Sequence, residues 1–321
     1  MAKKFNVLII GAGNIGAFFD SPKSSKILTH AHAFSKHPKF KLLGFYDIDN
    51  NKAKQAAKIW KVKYFDTLTS AFGKNKVDVV CVAVPDIYHY DVLKNIVKYQ
   101  PKLVLSEKPL TNSFTTAKKI THLYKKYNIP LLINYSRRFV PEFIKLKNEI
   151  DNKKYGKLVT GIGYYGKGIL HNGSHLTNLL RYYFGEIKIR RILDREHDYF
   201  KNDPSVSAEL SIKQANFLLQ HVNSQLYTIF EIDLFFEKAR IRILNSGFMV
   251  EKYLVEESRS FKGYKYLVKK EEYKTSLDYA LYYTAEHIYR VLNHKTRLNC
   301  PADNALEDIK LCTNTFRGSL Q

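Results

Sequence analysis

The feature that most constrains this chain is its start. Phe5-Asn6-Val7-Leu8-Ile9-Ile10 is a short, nearly all-apolar run, and it leads at once into Gly11-Ala12-Gly13-Asn14-Ile15-Gly16. An apolar run without polar alternation is the pattern of a parallel strand covered on both faces. Glycines at G-x-G-x-x-G spacing behind such a strand make the turn of a dinucleotide-binding unit. Gly11 lets the chain turn sharply, Gly13 lets the backbone approach a pyrophosphate, and Gly16 permits close helix–strand packing. The free amides of the helix start then face the phosphates, so Gly11, Gly13, Asn14 and Ile15 are the expected phosphate-facing positions. Glycine-rich turns are common, and it is the place after the first strand that gives the motif weight.

Residues 41–46 form the next strand and end in Asp47. A carboxylate there accepts hydrogen bonds from the adenosine ribose hydroxyls and repels a 2′-phosphate, so NAD is the expected cofactor rather than NADP. Asp49 and Asn50 follow, and Asp47 also reads as a turn or helix-cap residue. The distance from the glycines to this acid exceeds the common ~20 residues. The excess lies in residues 18–26, where Pro22 does not suit a continuous helix. This stretch reads as an insertion ahead of, or early in, the first helix, to be assigned to covering the cofactor, contacting a partner subunit, or a plain surface loop.

Helical patterns at 51–60, 88–99 and 113–127 then alternate with β-rich runs at 77–84, 102–105 and 129–133. Such alternation with short connections implies a doubly wound parallel sheet, whose ligands bind beyond the carboxyl ends of the strands. Gly11 to Gly16, Asp47, Val84, Pro85, His89, Glu107, Lys108 and Asn134 all follow strands and are expected in one crevice.

At 321 residues the chain is long enough for two domains, expected at 1–134 and 135–321. No stretch has low complexity, no repeat is visible, and the longest apolar run is too short to span a bilayer. The N-terminus shows no apolar targeting core, and Cys81, Cys300 and Cys312 are too few and scattered for a disulfide framework or zinc module. A cytoplasmic protein without a membrane partner is expected. The net charge of +22 fits either attraction of a polyanion or a lysine-rich solvated surface. The lysines are spread along the chain, which favours the second reading and argues against a nucleic-acid partner.

Several motifs together are similar to those of the glucose-fructose oxidoreductase/inositol dehydrogenase (Gfo/Idh/MocA) family. They are Glu107-Lys108-Pro109 after the fifth strand, Val84-Pro85-Asp86-Ile87-Tyr88-His89, and Asn134-Tyr135-Ser136-Arg137-Arg138-Phe139-Val140-Pro141. A fourth is Gly168-Ile169-Leu170-His171-Asn172-Gly173-Ser174-His175-Leu176-Thr177-Asn178. They come in the family's order and cover most of the first 185 residues. The resemblance implies an N-terminal Rossmann domain followed by an α+β domain with an open, largely antiparallel sheet. One face of that sheet commonly serves in oligomer formation, so a dimer or tetramer is expected. It also implies that Lys108 lies beside the nicotinamide and the reacting carbon, with a cis Lys108–Pro109 peptide, and that His175 assists proton transfer from the substrate hydroxyl.

The residues support that reading. A lysine at a strand end, between Glu107 and a rigid proline, is held at the mouth of the crevice. Its ammonium can hydrogen-bond a substrate hydroxyl and stabilise a developing oxyanion. The alternative is a surface salt bridge to Glu107. If one helix runs on through residue 183, His171, His175 and Asn178 share a face at i, i+4 and i+7. The family often carries acids where His171 and Asn178 stand, so His171 is either a substitute proton carrier or a shaper of the pocket. Arg138, Lys167 and Tyr165 are further candidate substrate contacts. Two histidines at i, i+4 can bind zinc, but Asn172 stands where a zinc-protease motif needs Glu, and no metal is expected. Past residue 185 strands are expected at 187–193, 206–212, 216–222, 227–236 and 239–244, and helices at 278–292 and 302–316.

The expected activity is reversible, NAD-dependent hydride transfer at a hydroxyl-bearing carbon of a sugar, sugar nucleotide or polyol, with surface-glycan biosynthesis as the setting to try first. Two alternatives stay open: reduction of a non-sugar carbonyl or imine, and a non-catalytic NAD sensor that binds a protein partner.

Overall fold

The computed structural model describes residues 4–73 and 75–317. Two compact units emerge from the contacts, one running up to Phe139 and including Asp278–Ile309, the other Val140–Leu277 with the chain from Lys310 on.

The first unit alternates β1 (Phe5–Ile10), α1 (His30–Lys36), β2 (Phe40–Tyr46), α2 (Asn50–Trp60), β3 (Lys63–Phe65), α3 (Leu68–Gly73), β4 (Val79–Val82), α4 (His89–Ile96), β5 (Leu103–Ser106), α5 (Phe114–Lys126) and β6 (Leu131–Ile133). The six strands are parallel in the order β3-β2-β1-β4-β5-β6. Val7, Leu8, Ile9, Val79, Val80 and Val82 are fully buried, as a sheet covered on both faces requires. Helix starts follow the side chains: Thr29, Asp49 and Ser113 cap α1, α2 and α5 by accepting amide hydrogens of the first turn. The helix expected directly behind the glycines is only one wide turn, Asn14–Phe18, and α1 starts after an irregular stretch containing Pro22.

The second unit carries α6 (Pro141–Asp151), β7 (Leu158–Tyr165), α7 (Ser174–Phe184) and β8 (Ile187–Phe200), β9 (Asp203–Ile212), β10 (Ala215–His221), β11 (Phe230–Phe236), β12 (Ala239–Leu244), β13 (Met249–Glu257) and β14 (Lys265–Lys274). They form one eight-stranded sheet, β14-β13-β12-β11-β7-β10-β9-β8, antiparallel except for the β7/β10 pair. A Cβ on Gly163 of β7 would lie 2.6 Å from Leu176, so the missing side chain lets α7 pack onto the sheet. The β13/β14 hairpin was not expected from the sequence. Nearly every β14 residue is exposed on both faces, so no apolar alternation marks it.

After this sheet the chain returns through α8 (Ala280–Leu292) to α9 (Ala302–Arg317). Thr284 of α8 donates to Asn134, His37 bonds Glu286, and Arg138 bonds Asn299 and Asn304, which ties Asp278–Ile309 into the first unit. The chain therefore passes between the units more than once, where a single boundary at 134/135 was expected. Among the described residues no helix is long and apolar enough to cross a membrane.

Inside the second unit Lys252 of β13 is almost fully buried, with its ammonium 2.8 Å from Glu149 of α6 and 3.2 Å from Glu271 of β14. Burial opposes the charge on Glu149, but hydrogen bonds from Lys154, Lys252 and Tyr155 outweigh it and hold its pKa at about 2. A depressed carboxylate contributes stability above its unfolded pKa, lost as pH falls through the folded one. Glu149→Gln should therefore lower the melting temperature at pH 7, and the gap to the native chain should close as pH falls from 4.5 to about 2. Circular dichroism melts across that range measure it, and a gap that persists at the acid end would contradict the assignment.

Candidate active site

In the first unit the expected positions gather at the carboxyl ends of β1, β2, β4, β5 and β6. Gly11 has a φ of +101°, and a Cβ there would lie 2.6 Å from the Ala83 carbonyl group. A Cβ on Gly16 would lie 2.3 Å from the Gly11 oxygen, whereas one on Gly13 would meet nothing within 4 Å. The first and third glycines are thus demanded by packing. The middle one faces open space, the clearance a diphosphate needs against backbone amides. The residues present fit a dinucleotide.

Asp47 holds this turn in place: one carboxylate oxygen accepts the Ala12 amide at 2.7 Å, the other the Asp49 amide at 2.9 Å. Asp47 is therefore a turn residue in this fold, and the capping of α2 falls to Asp49. A carboxylate offers about four lone-pair directions, so two amide bonds leave acceptor capacity for ribose hydroxyls.

After β4, Val84 and Pro85 lead into the turn ending at His89. His89 is buried, with Nδ1 2.7 Å from the Pro109 carbonyl and Nε2 3.0 Å from the Val84 carbonyl. It ties the loop after β4 to the turn after β5. The Lys108–Pro109 peptide in that turn is cis. Glu107 Oε1 receives the Asn134 amide at 2.6 Å and faces His30 Nε2 at 2.8 Å, while Oε2 receives the Lys108 N–H at 3.3 Å. Burial pushes the Glu107 carboxyl up, and His30, Asn134 and the Lys108 charge together hold it below the ordinary carboxylate range. Lys108 is half-buried. Arg138, expected to meet substrate, is 3% exposed, and its guanidinium donates to the Asn299 carbonyl and the Asn304 side chain. These bonds give it a packing task within this unit.

In the second unit β7 delivers the chain to Gly166-Lys167-Gly168. The continuous helix expected over 171–183 is instead a π turn, Ile169–Gly173, followed by α7. Its cause is two carboxylates that the sequence reading passed over. Asp203 accepts the amides of Leu170 at 2.9 Å and His171 at 2.8 Å; Asp198 accepts those of Lys167 at 2.8 Å and Ser224 at 3.0 Å. Burial works against the Asp198 charge, and these donors with Ser205 overrule it, lowering its pKa. Lys167 is held at φ +69°, a left-handed conformation uncommon for a side-chain-bearing residue. His171 therefore belongs to the wider turn, outside the α-helical register of His175 and Asn178.

Tyr165, a candidate substrate contact, is fully buried. Its hydroxyl donates to the Val206 carbonyl and accepts the Val206 amide, and burial drives its pKa well up. His175 is half-buried and Asn178 buried. Two aromatic residues at the end of β8 were also missed: the Lys167 ammonium lies 4.2 Å from the Tyr199 ring centre, and the His171 ring packs on Phe200 at 4.7 Å. Aromatic pairs beside a turn carry no sequence pattern of their own; a register for β8 running to residue 200 would have pointed to them. Among the described residues no group of three or more His, Cys, Asp or Glu could hold a metal ion.

Residues 5–135 match the family described as oxidoreductase family, NAD-binding Rossmann fold. Inositol 2-dehydrogenase of Corynebacterium glutamicum is 27% identical over 164 residues, 50% of this chain and 44% of that protein. The chain spans less than half the length of the curated relatives it matches, 30% and 42% for two further oxidoreductases. Solved structures extend the likeness over the whole chain. The WlbA dehydrogenase of Bordetella pertussis, in complex with NADH and UDP-GlcNAcA, gives a TM-score of 0.79 at 14% identity, covering 98% of this chain and 95% of that one. UDP-N-acetylglucosamine 3-dehydrogenase GnnA of Acidithiobacillus ferrooxidans gives 0.75 at 14%, covering 97% and 96%. At such identity the likeness is one of fold.

Gly16 and Gly13 should separate cleanly on substitution. Gly16→Ala meets backbone and should cost about 1–3 kcal/mol as overpacking. Gly13→Ala should leave stability within about 0.5 kcal/mol while weakening nucleotide binding, and Gly13→Val should abolish it. Thermal melts paired with NADH fluorescence titration check both; a Gly13→Val chain that binds normally would show that the diphosphate does not use this turn.

Proposed function

Starting from a chain that belongs to the Gfo/Idh/MocA oxidoreductases through the NAD-binding Rossmann domain of residues 5–135, we propose that it reversibly oxidises a hydroxyl-bearing carbon of a sugar, sugar nucleotide or polyol, with NAD as its redox partner. The observation that carries this reading is the open space over Gly13, in the same unit and at the same sheet edge as the half-buried Lys108. When bound, the dinucleotide supplies the two-electron chemistry.

In this proposal Gly11, Gly13, Asn14 and Ile15 bind the diphosphate through backbone amides, and Asp47 binds the adenosine ribose. Val84, Pro85, Glu107 and Asn134 line the nicotinamide end, with His89 fixing the two loops that carry them. Lys108 Nζ donates a hydrogen bond to the substrate oxygen and stabilises its negative charge. His175 exchanges the hydroxyl proton, and His171, Lys167 and Asn178 contact the substrate. An imidazole suits the proton task because its ordinary pKa is near neutral. Sugar nucleotides are the substrates to try first, since one solved structure of similar fold is a complex with NADH and UDP-GlcNAcA and an anion complements the excess of basic residues. Homo-oligomer formation through the second unit's sheet belongs to the same proposal.

Two experiments test it. NADH fluorescence titration should give saturable binding, and NADPH should bind more weakly; Asp47→Ser should narrow that preference by removing the charge that repels a 2′-phosphate. With UDP-N-acetylglucosamine, its uronic acid and free polyols as a panel followed at the NADH absorbance band, Lys108→Met should lower kcat by about 10²–10³-fold, the scale of one lost oxyanion donor. Unchanged turnover in Lys108→Met would remove lysine from the mechanism. Reduction of a non-sugar carbonyl alone, or NADH binding without turnover of any substrate, would favour the alternatives.

A further inference from the structure

His30 belongs to no motif discussed so far, yet it is the first residue of α1, 1% exposed, with its Nε2 2.8 Å from Glu107 Oε1. We propose that His30 is a positioning residue: it pairs with Glu107 to fix the turn that carries Lys108, and the folded-back stretch between Asp20 and Thr29 is what brings it there. The inference rests on the reading of that turn as part of a redox site.

The geometry makes Glu107 the joint of the turn. One oxygen takes the Asn134 amide and His30; the other takes the backbone N–H of Lys108 itself. Asn134 in turn accepts from Thr284 of α8 at 3.2 Å. A carboxylate withdrawn from water without a charged partner is costly, and it relieves that cost by binding a proton. A protonated Glu107 would lose acceptor strength toward the Lys108 amide. A cationic partner prevents this, and His30 is the imidazole in contact.

The groups facing the pair are the Cys81 thiol from β4, the Lys108 ammonium and the Asn134 amide. Burial opposes a charged His30, but Cys81 and Glu107 outweigh it and raise its pKa to about 10. A raised histidine contributes its stability fully below 6.5 and loses it as pH rises through about 10, so the pair stays charged across the neutral range.

The residues before α1 explain how His30 arrives. The Asp20 carboxylate is almost fully buried and accepts from the Leu28 amide at 2.6 Å, the Thr29 hydroxyl at 2.5 Å and the His32 ring at 2.8 Å. Thr29 then caps α1 through the His32 amide at 3.1 Å. Ile27 and Ser25 are further held by Asp278 and Tyr279. The loop closes on Asp20 and releases the chain into helix at position 30. It thereby sets the helix start independently of the five-residue turn behind the glycines.

Nuclear magnetic resonance on the full chain, without nucleotide, tests the pairing directly. With 15N-histidine and 13C-carboxyl glutamate labels, His30 should stay doubly protonated to above pH 8, and Glu107 should stay ionised down to pH 5. In His30→Leu, Glu107 should titrate in the neutral range instead. NADH affinity, expected to be nearly flat with pH in the native chain, should then become roughly tenfold weaker at pH 5.5 than at pH 8, the free-energy equivalent of about one pKa unit. His30→Gln keeps a neutral donor at the Nε2 position and should recover part of the flat profile. Asp20→Asn should reproduce the Glu107 shift in weaker form. An unchanged Glu107 titration in His30→Leu, with only a lower melting temperature, would reduce His30 to a packing residue; native titrations in Asp20→Asn would overturn the role of the loop. If the native chain fails to bind NADH, the redox reading fails, while the two titrations still decide whether His30 holds Glu107.

Discussion

Between the carboxyl ends of β1 and β4 there is no room for a side chain. A Cβ at Gly11 would collide with the Ala83 backbone and one at Gly16 with the Gly11 carbonyl, so two strand ends and a turn are packed backbone to backbone. The sheet grows in opposite directions from this point, toward β2 and β3 on one side and β5 and β6 on the other. Loops leaving neighbouring strands in opposite senses leave a crevice between them, and the Gly13 backbone borders that space. Because both faces of the strands are buried, the strand ends are rigid supports. Glu107 and Asn134 extend the sheet's ladder, their amides donating to the Val82 and Ser106 carbonyls at 2.9 Å each, so the strand ends fix where their side chains stand.

A second device recurs within each unit: a carboxylate drawn back from water and given to a turn's unsatisfied amides. Asp47 takes Ala12 and Asp49, Glu107 takes Lys108, Asp198 takes Lys167 and Ser224, and Asp203 takes Leu170 and His171. Turn amides have no ladder or helical partner, and a buried amide without one is expensive. A carboxylate accepts several at once, and charge-assisted bonds are the stronger kind. The result is that Lys108, Lys167 and His171, the residues proposed to meet substrate, stand on backbone pinned from behind. Such pinning holds a group in place without filling the space in front of it.

What the sequence revealed follows from this division of labour. The parallel sheet was legible because the core strands are apolar without interruption and each ends in a recognisable turn. The glycine turn, Asp47 and the residues after β4, β5 and β6 were legible because a topological rule places strand-end residues together. The π turn at Ile169–Gly173 was not, because its cause lies some 30 residues away, in Asp203, where an aspartate after a strand reads as an ordinary turn former. Distance also hid His30, which meets Glu107 77 positions on. The burial of Arg138 and Tyr165 was hidden for the converse reason: a polar group in a motif suggests a ligand, and the partners Asn299, Asn304 and Val206 are visible only in the fold. The β13/β14 hairpin escaped because an edge strand wet on both faces has no apolar face to advertise it.

The departures at His171 and Asn178 gain physical content from the same geometry. The resemblance read from the sequence implies acids at these places, and an amide in their stead cannot exchange a proton. Within the second unit's turn and α7, proton exchange under the proposed function therefore falls to imidazoles, which are neutral or cationic where a carboxylate would be anionic. Neither residue adds an anion to the turn that already holds Asp198 and Asp203 against the backbone of Lys167, Leu170 and His171. A substrate bearing a phosphate or carboxylate would meet less repulsion there than in a site lined by acids, at a cost of 1 kcal/mol or so for each like charge left at contact distance in water and more where water is thin. An imidazole and an amide at these two positions thus bear on which charge the turn tolerates, and under the proposed function they favour an anionic sugar.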